Sequence, residues 1–257
     1  MERVLIVFDF DGTLVNTSKW FREIAIPSYY RAKLPEELCT DEIKNEIIRF
    51  YGKSGEYDYG ITVNRKKLSV EEQGKVISEI LAYANELRKK EENYLKIEFF
   101  EGMLDLLKDI NTTYGEFCDF AVCSASEKKD IEKKLEKNNL KELFPVVVSE
   151  IQEINGKINR IKKPDSRLLK QVIDEIKDKT QKSYKKVFMV GDTDNDINLA
   201  MNFKKEYLEY NVDMIALSYG GFQVKEDLKK HEQDIIMVDS VNQLKEQFLI
   251  KLKHLNN

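Results

Sequence analysis

Near its start the chain carries the stretch Val4-Leu5-Ile6-Val7-Phe8-Asp9-Phe10-Asp11-Gly12-Thr13-Leu14. A short apolar run that ends in a turn signal is typical of a buried strand in a parallel sheet. Such a strand delivers Asp9 and Asp11 to its carboxyl end, where open parallel sheets bind their ligands. Gly12 then allows the backbone to turn sharply. Because Asp and Gly are also common in ordinary turns, this stretch alone leaves a simple turn open as the alternative.

The two aspartates indicate a cation site. Carboxylates one residue apart repel each other, so a bound cation would stabilise the pair. Hard oxygen ligands favour Mg²⁺. An Asp carboxylate held in this way can also act as a nucleophile and form an aspartyl-phosphate. The stretch therefore predicts a magnesium site that includes a candidate nucleophile.

The composition is that of a globular protein with a solvated surface. Hydrophobic residues make up 42% of the 257 residues and charged residues 34%, which suits one large α/β domain or two domains. The net charge is −4, with acids and bases interspersed, whereas a nucleic-acid-binding protein would show a basic stripe. We therefore expect no nucleic-acid partner.

Cysteine and histidine usage argues against several classes of site. Cys39, Cys118 and Cys123 form no Cys-x-x-Cys motif, and we expect them to be reduced, which suits the cytoplasm. His231 and His254 both lie near the C-terminus, which argues against a Ser-His-Asp triad or a His-rich zinc site. Since the sequence shows neither an apolar stretch of membrane-spanning length nor a signal-peptide pattern, we expect a cytoplasmic protein without a membrane partner.

Hydrophobic periodicity predicts alternating strands and helices over most of the chain. The predicted strands are Val4–Phe8, Phe117–Cys123, Val146–Ser149, Lys186–Val190, Met214–Ser218 and Ile235–Val238. The predicted helices are Gly102–Thr112, Glu127–Asn138, Asp165–Asp178, Asp196–Phe203, Gln223–Lys230 and Val241–Leu252. This alternation predicts an α/β fold, a Rossmann-like parallel sheet flanked by helices.

The alternation is interrupted between Val15 and Phe99, where no strand is predicted. Helical patterns there cover Ser18–Arg31, Pro35–Phe50 and Ser69–Asn93. We therefore predict an all-helical domain, residues 15–99, inserted after the first strand of a core domain that is formed by residues 1–14 and 100–257.

Three further polar segments follow predicted core strands or begin the next helix. They are Ser124, before the helical pattern of residues 125–138; Lys163, before the helix that begins at Asp165; and Gly191-Asp192-Thr193-Asp194-Asn195-Asp196, after the strand Lys186–Val190. A hydroxyl with N–H groups at a helix N-terminus can bind an anion, and clustered carboxylates can bind a cation. Taken singly, an N-cap serine, a surface lysine and an Asp-rich turn are the alternatives.

Read in order, these segments resemble the haloacid dehalogenase superfamily on its phosphatase side. The family pattern is a strand then Asp-x-Asp-Gly-Thr, a strand ending in Ser or Thr, a Lys, and Gly-Asp-x-x-x-Asp; the chain has these at Asp9–Thr13, Ser124, Lys163 and Gly191–Asp196. The predicted insert stands where that family has a helical cap. Leu217-Ser218-Tyr219-Gly220-Gly221-Phe222 also resembles the corresponding stretch of phosphoglycolate-phosphatase-like members.

Two positions depart from the family pattern. Asn16 stands where relatives often carry an acid, which concerns helix capping or the docking of the cap. Ser124-Ala125-Ser126 replaces the Thr-Asn-x that is common in phosphoglycolate phosphatases. The second departure bears on the substrate rather than on the chemistry.

The resemblance implies a magnesium-dependent phosphatase that hydrolyses a small phosphate monoester through an aspartyl-phosphate. Asp9 would be the nucleophile and Asp11 the general acid and base. Mg²⁺ would be held by Asp9, the Asp11 carbonyl and Asp192. The presence of Asp11 argues against dehalogenation, because the dehalogenases of this superfamily lack that second Asp.

The remaining motif residues would bind the phosphate or support the site. The implied phosphate-binding residues are Gly12, Thr13, Ser124 and Ala125. Lys163 would screen the charge between phosphate and Asp9, and Asp196 would support the metal waters or orient Lys163. Asp194 would be a solvated neighbour.

The implied partner is a small phosphorylated metabolite, and the implied state is a monomer or a small homo-oligomer. The loop Lys53–Tyr59 of the cap is a candidate substrate contact, with a plain interhelical turn as its alternative. Three other functions stay open: a phosphomutase of the β-phosphoglucomutase type, a catalytically silent protein that keeps the fold, and a receiver-like domain that is phosphorylated on Asp.

Overall fold

A computed structural model describes residues 3–33, 39–51, 62–63, 66–90, 94, 96–154, 157–223 and 225–256. The strands are β1 (Arg3–Phe8), β2 (Thr62–Val63), β3 (Lys66–Lys67), β4 (Cys118–Ser124), β5 (Val146–Ser149), β6 (Ile151–Ile154), β7 (Lys157–Arg160), β8 (Tyr184–Gly191), β9 (Asn211–Leu217) and β10 (Ile235–Val238). The helices are α1 (Thr17–Trp20), α2 (Ile26–Lys33), α3 (Asp41–Tyr51), α4 (Val70–Lys89), α5 (Met103–Tyr114), α6 (Lys128–Lys137), α7 (Arg167–Thr180), α8 (Asp194–Glu206), α9 (Lys225–Leu228) and α10 (Val241–Asn256). A π-helical turn, Phe21–Ala25, joins α1 to α2.

Six strands form one parallel sheet in the order β10-β9-β8-β1-β4-β5. This arrangement confirms the predicted Rossmann-like α/β fold. Strand β1 lies in the middle, where Phe8 pairs with Val122 of β4 and with Val190 of β8. The carboxyl ends of β8, β1 and β4 therefore meet at one edge of the sheet.

The sheet separates two layers of apolar packing. Leu5 and Val7 face the cluster that includes the buried sides of α7 and α8. Ile6 and Phe8 face the other cluster, which contains α5, α10 and residues of the helices between β1 and α5. Because successive side chains of a strand point to opposite faces, β1 is apolar at every position from Val4 to Phe8.

Cys118 and Cys123 follow the same rule on β4. Cys118 belongs to one apolar cluster and Cys123 to the other, and both are free thiols. Their side chains thus lie on opposite faces of the sheet. Burial raises the pKa of the Cys123 thiol to about 12, so this thiol stays protonated and acts as a small apolar side chain.

Residues 15–99, here called the insert, leave and rejoin the core at adjacent points. Val15 and Phe99 form an antiparallel bridge. The Asn16 N–H donates to the Glu98 carbonyl at 2.8 Å, and the Phe100 N–H donates to the Leu14 carbonyl at 3.1 Å. Asn16 also caps α1, since its Oδ1 accepts from the Lys19 N–H at 3.1 Å.

Helix α4 is the longest helix of the insert among the described residues. It begins at a capping box in which the Ser69 N–H donates to Glu72 Oε2 at 2.8 Å and the Glu72 N–H donates to Ser69 Oγ at 3.3 Å. Its buried face includes Ile77, Ile80 and Ala84, a spacing that places these side chains on one side of a helix.

The structure contains two hairpins that the strand prediction omits. Within the insert, β2 and β3 pair antiparallel over two residues each, so the insert is not all-helical as predicted. Strands this short leave no periodic signal in the sequence. After β5, strands β6 and β7 also pair antiparallel. The intervening sequence Asn155-Gly156 is a strong hairpin signal and would have indicated this pair.

The predicted substrate loop Lys53–Tyr59 lies outside the described residues. Within the described part of the chain, no helix combines the length and the apolar character needed to cross a membrane.

Candidate active site

Three neighbouring strands end in polar side chains at one edge of the sheet. Asp9 follows β1, Ser124 ends β4 and Asp192 follows β8. The Asp9 N–H donates to the Val190 carbonyl at 2.8 Å, which extends the β1–β8 pairing by one residue. All three polar side chains are buried. The sheet thus brings together residues that are far apart in the sequence, as predicted.

Lys163 links two of the buried carboxylates. Its Nζ lies 2.6 Å from Asp9 Oδ1 and 2.6 Å from Asp196 Oδ1, and its side chain is 5% exposed. Burial lowers the pKa of Lys163, but Asp196 and Asp9 outweigh it and raise this pKa well above its usual value. Burial raises the pKa of Asp9 to about 7, although Lys163 opposes the rise. Lys163 is therefore a fixed cation beside the candidate nucleophile.

Asp192 is enclosed between two glycines. A Cβ atom would lie 2.4 Å from Asp192 Oδ2 if added to Gly12, and 2.3 Å from it if added to Gly220. Gly12 also has φ +79°, a conformation that favours glycine. Thr13 Oγ1 donates to Asp192 Oδ1 at 3.5 Å, whereas Oδ2 has no hydrogen-bond partner among the described residues. Burial, with Asp196 and Asp9, raises the pKa of Asp192 well above its usual value.

These residues fit a divalent cation. Asp9, Asp192 and Asp196 each offer a carboxylate oxygen, and these oxygens lie within 4.8 Å of one another. A buried carboxylate oxygen without a donor is unfavourable, and a cation at Asp192 Oδ2 would relieve this. Among the described residues, this candidate ligand group consists of carboxylates alone, and such oxygen ligands suit Mg²⁺ better than zinc.

Asp196 differs from the other two carboxylates because both of its oxygens have donors. Oδ1 accepts from Lys163. Oδ2 accepts from the Thr193 N–H at 3.1 Å and from Thr193 Oγ1 at 2.7 Å, which forms the capping box of α8. The contact between Asp196 and Lys163 is of the kind needed for one of the two supporting roles that the resemblance implies.

Asp11 lies at the centre of a network of donors. Thr17 Oγ1 donates to its Oδ1 at 2.6 Å, Arg88 Nη2 donates to the same oxygen at 3.3 Å, and Ser126 Oγ donates to Oδ2. Together these donors fix the orientation of the Asp11 carboxylate. Of these three residues, Thr17 and Arg88 belong to the insert and Ser126 to the core.

The segment after β4 differs in one respect from the prediction. Helix α6 begins at Lys128, with Glu127 as N-cap, instead of beginning directly after Ser124. The assignment of Ser124 and Ala125 to a helix N-terminus is therefore wrong. Instead, Ser124 Oγ accepts from the Ser126 N–H at 3.2 Å and Ser149 Oγ donates to the Ser126 carbonyl at 2.7 Å, so a turn with its own hydrogen bonds holds this segment.

One cavity of about 820 Å³ connects the predicted groups. From the core it is lined by Asp9, Asp11, Ser124, Ala125, Lys163 and Asp196, and from the insert by residues of α2 and α4. Gly12 and Thr13 lie behind this wall and contact Asp192. Asp194 does not line this cavity and instead pairs with Lys230 and His231.

Sequence reasoning missed Thr17, Arg88 and Ser126. The stretch Leu87-Arg88-Lys89-Lys90 has the appearance of an ordinary basic helix end, and nothing local marks Arg88 as different. Thr17 and Ser126 each stand a few residues beyond a predicted motif, so the proximity of a hydroxyl to that motif is the signal that could have found them.

Comparison with known proteins points to one family of hydrolases. The family model described as haloacid dehalogenase-like hydrolase matches residues 6–208. Comparison with curated proteins finds no significant match.

Solved structures of similar fold cover nearly the whole chain. One is described as a predicted phosphatase from Clostridium acetobutylicum, with 17% identity over 97% of this chain and 99% of that chain and a TM-score of 0.57. Another is a haloacid dehalogenase-like family hydrolase from Streptococcus pneumoniae, with 15% identity over 95% and 97% of the two chains and a TM-score of 0.59.

A third is described as a predicted phosphoglycolate phosphatase from Haemophilus somnus, with 20% identity over 95% of this chain and 97% of that chain and a TM-score of 0.60. At these identities the structures show a shared fold. The family model, which spans most of the chain and includes the residues of all four motifs, shows that this protein belongs to the haloacid dehalogenase-like hydrolases.

Proposed function

We propose that this protein is a magnesium-dependent phosphatase that hydrolyses a small phosphate monoester through an aspartyl-phosphate on Asp9. The observation that carries the proposal is the buried arrangement of Asp9, Lys163 and Asp196 beside Asp192, whose Oδ2 has no donor among the described residues. This arrangement offers a nucleophile, a fixed cation and a place for a second cation.

In this proposal Asp9 attacks the phosphorus and the ester oxygen leaves. Asp11 gives a proton to the leaving oxygen and later takes one from the water that hydrolyses the aspartyl-phosphate. Lys163 offsets the charge of the phosphate next to Asp9, while Ser124 and the N–H groups around Ala125 hold phosphoryl oxygens.

Asp9, the Asp11 carbonyl and Asp192 would hold Mg²⁺. When bound, this ion supplies charge neutralisation and fixes the direction of attack. Lys163 favours the anionic form of Asp9, whose pKa burial raises to about 7.

The insert, residues 15–99, would act as a cap over the core, residues 1–14 and 100–257. Its helices α2 and α4 line one side of the cavity, so closure would exclude water and select the alcohol part of the ester. A phosphorylated metabolite acted on in the cytoplasm suits such a site. We propose a monomer or a small homo-oligomer as the working form.

Hydrolysis of an aryl phosphate should require Mg²⁺. We expect inorganic phosphate release when Mg²⁺ is present and none in excess chelator, with recovery when Mg²⁺ is restored. Undiminished turnover in chelator would contradict the metal requirement. If a panel of sugar phosphates gave isomerised sugar phosphate instead of inorganic phosphate, the protein would be a mutase.

The variant Asp11→Asn should slow alkyl esters more than aryl esters. An alkoxide is a poor leaving group and needs the proton from Asp11, so we expect a loss of about 10²- to 10⁴-fold for alkyl phosphates and less for aryl phosphates. Single-turnover phosphorylation with both ester types measures the difference. Equal losses would argue against Asp11 as the acid.

A further inference from the structure

One cation of the insert reaches the centre of the site. Arg88, in the last turn of α4, places Nη2 3.3 Å from Asp11 Oδ1 and 3.1 Å from Ser126 Oγ, and its side chain is 11% exposed. We propose that Arg88 is a substrate-binding residue whose guanidinium leaves Asp11 and binds an anionic oxygen of the phosphate ester. This inference rests on the proposed phosphatase function and deepens it.

The charge of the site favours such a role. Four carboxylates meet there, those of Asp9, Asp11, Asp192 and Asp196, and the basic side chains that contact them in the described part of the chain are Lys163 and Arg88. Even with a divalent cation, these charges sum only to zero, so a phosphate dianion gains from each cation that it can reach. A guanidinium suits this task because its planar fork of N–H groups matches the oxygens of phosphate and carboxylate.

Arg88 is also the cation that can change partners. Lys163 lies 2.6 Å from each of two carboxylates, whereas the 3.3 Å between Arg88 and Asp11 is longer than a strong charged hydrogen bond, about 2.7–2.9 Å. The guanidinium carbon lies 5.5 Å from the centre of the Tyr94 ring. That cation–π contact can support the guanidinium both before and after the exchange.

The position of Arg88 defines which oxygens it can bind. It lines the same cavity as Asp11, Ser124 and Lys163, and it contacts Asp11, the proposed acid for the leaving group. The anionic oxygen is therefore either on the transferred phosphoryl group or on a second acidic group of the alcohol close to the ester bond. Both sources present the same chemistry to a guanidinium.

The exchange would tie the substrate to both parts of the protein. Arg88 belongs to the insert, whereas Asp9, Ser124 and Lys163 belong to the core. A substrate oxygen bound by Arg88 would replace a direct contact between insert and core with one that passes through the substrate. Binding energy would then favour the arrangement in which the insert covers the reacting group.

The test compares Arg88→Gln and Arg88→Lys with wild type. Lys75→Gln is the matched control, since Lys75 lies on the same helix, is 69% exposed and pairs with Glu71 at 3.0 Å. The measurements are the Kd for inorganic phosphate in the presence of Mg²⁺, kcat and KM for an aryl phosphate, and kcat and KM for a monoester that carries a carboxylate. Thermal unfolding checks that each variant is folded.

Two results would support the inference and separate its sources. If Arg88 binds the phosphoryl group, Arg88→Gln raises the Kd for phosphate and the KM for both esters about tenfold or more, as for loss of a charged contact. If it binds a second acidic group, only the KM for the carboxylate ester rises. In either case Arg88→Lys recovers part of the loss and Lys75→Gln changes nothing.

The inference is overturned if folded Arg88→Gln leaves the phosphate Kd and both KM values unchanged, or if Arg88→Lys is no better than Arg88→Gln. The phosphate Kd is measured without turnover. A wild-type protein that hydrolyses no ester would therefore refute the proposed function. The phosphate Kd would then still decide whether Arg88 binds the phosphoryl group, and the Kd for the unhydrolysed carboxylate ester would decide whether it binds a second acidic group.

Discussion

Replacement of Asp9 by Asn should abolish turnover. An amide cannot form the acyl-phosphate bond, and loss of a nucleophile lowers kcat by about 10⁴- to 10⁶-fold in enzymes where it has been removed. Asp9→Asn keeps the size of the side chain and its place beside Lys163. Release of phosphate from an aryl ester, followed over hours, measures the loss.

A second measurement identifies the site of attack. After acid quenching, wild-type protein mixed with substrate should carry one phosphoryl group on the peptide that contains Asp9, and Asp9→Asn should carry none. Asp194→Asn is the matched control from the acidic segment, because Asp194 pairs with Lys230 and His231 instead of Lys163. A phosphorylated peptide elsewhere in the chain, or turnover that survives Asp9→Asn, would exclude Asp9 as the nucleophile.

Replacement of Lys163 by Met should affect stability as well as catalysis. Lys163 is the cation within 2.6 Å of both Asp9 and Asp196, and all three side chains are buried. Removal of one member of a buried ion pair typically lowers the free energy of unfolding by about 3–5 kcal/mol, because the remaining charge is left without compensation. Urea unfolding of Lys163→Met and wild type without Mg²⁺ measures the difference.

The stability of Lys163→Met should depend on pH and on Mg²⁺ in defined directions. Burial already raises the pKa of Asp9 to about 7 in wild type, so the folded state takes up protons that the unfolded state does not. The stabilisation that protonated Asp9 contributes is present at acid pH and is lost as pH rises. The loss of unfolding free energy in Lys163→Met relative to wild type should therefore be larger near pH 8 than near pH 5.

Added Mg²⁺ should recover more unfolding free energy in Lys163→Met than in wild type, since it would supply the missing positive charge. A deficit that is the same at both pH values and does not respond to Mg²⁺ would mean that Lys163 contributes packing rather than charge.

The sequence was sufficient to predict the sheet and the groups at its edge. Asp9, Ser124 and Asp192 each follow an apolar run, and parallel strands place such positions together whatever their distance along the chain. The prediction of a helix N-terminus at Ser124 failed, because tertiary packing decides where that helix begins. Periodicity predicts that this helix begins at Glu127, whereas the reading of Ser124 as a helix N-terminus predicts that it begins directly after Ser124. The folded turn decides between the two, because Glu127 is the N-cap.

Arg88 shows the limit of local patterns more clearly. Its neighbours Lys89 and Lys90 are also basic and lie on the exposed surface, and the direction in which α4 packs decides which of the three faces Asp11. The hairpin of β6 and β7 was a different kind of omission. Its Asn-Gly signal is local, but the strands beside it are polar at several positions and lack a clear apolar alternation.

The two connections between insert and core, Leu14–Asn16 and Glu98–Phe100, are hydrogen-bonded to each other. This arrangement would allow the insert to be exchanged as a module. Its two ends are already held side by side by the core, so the loop-closure entropy of a longer or shorter segment changes only slowly with length. In evolution, the whole segment between these two connections could therefore be replaced, and with it the side of the cavity that the insert lines. The sheet and its carboxylates would stay unchanged. Divergence of substrate range without divergence of chemistry is the evolutionary behaviour that such a connection permits.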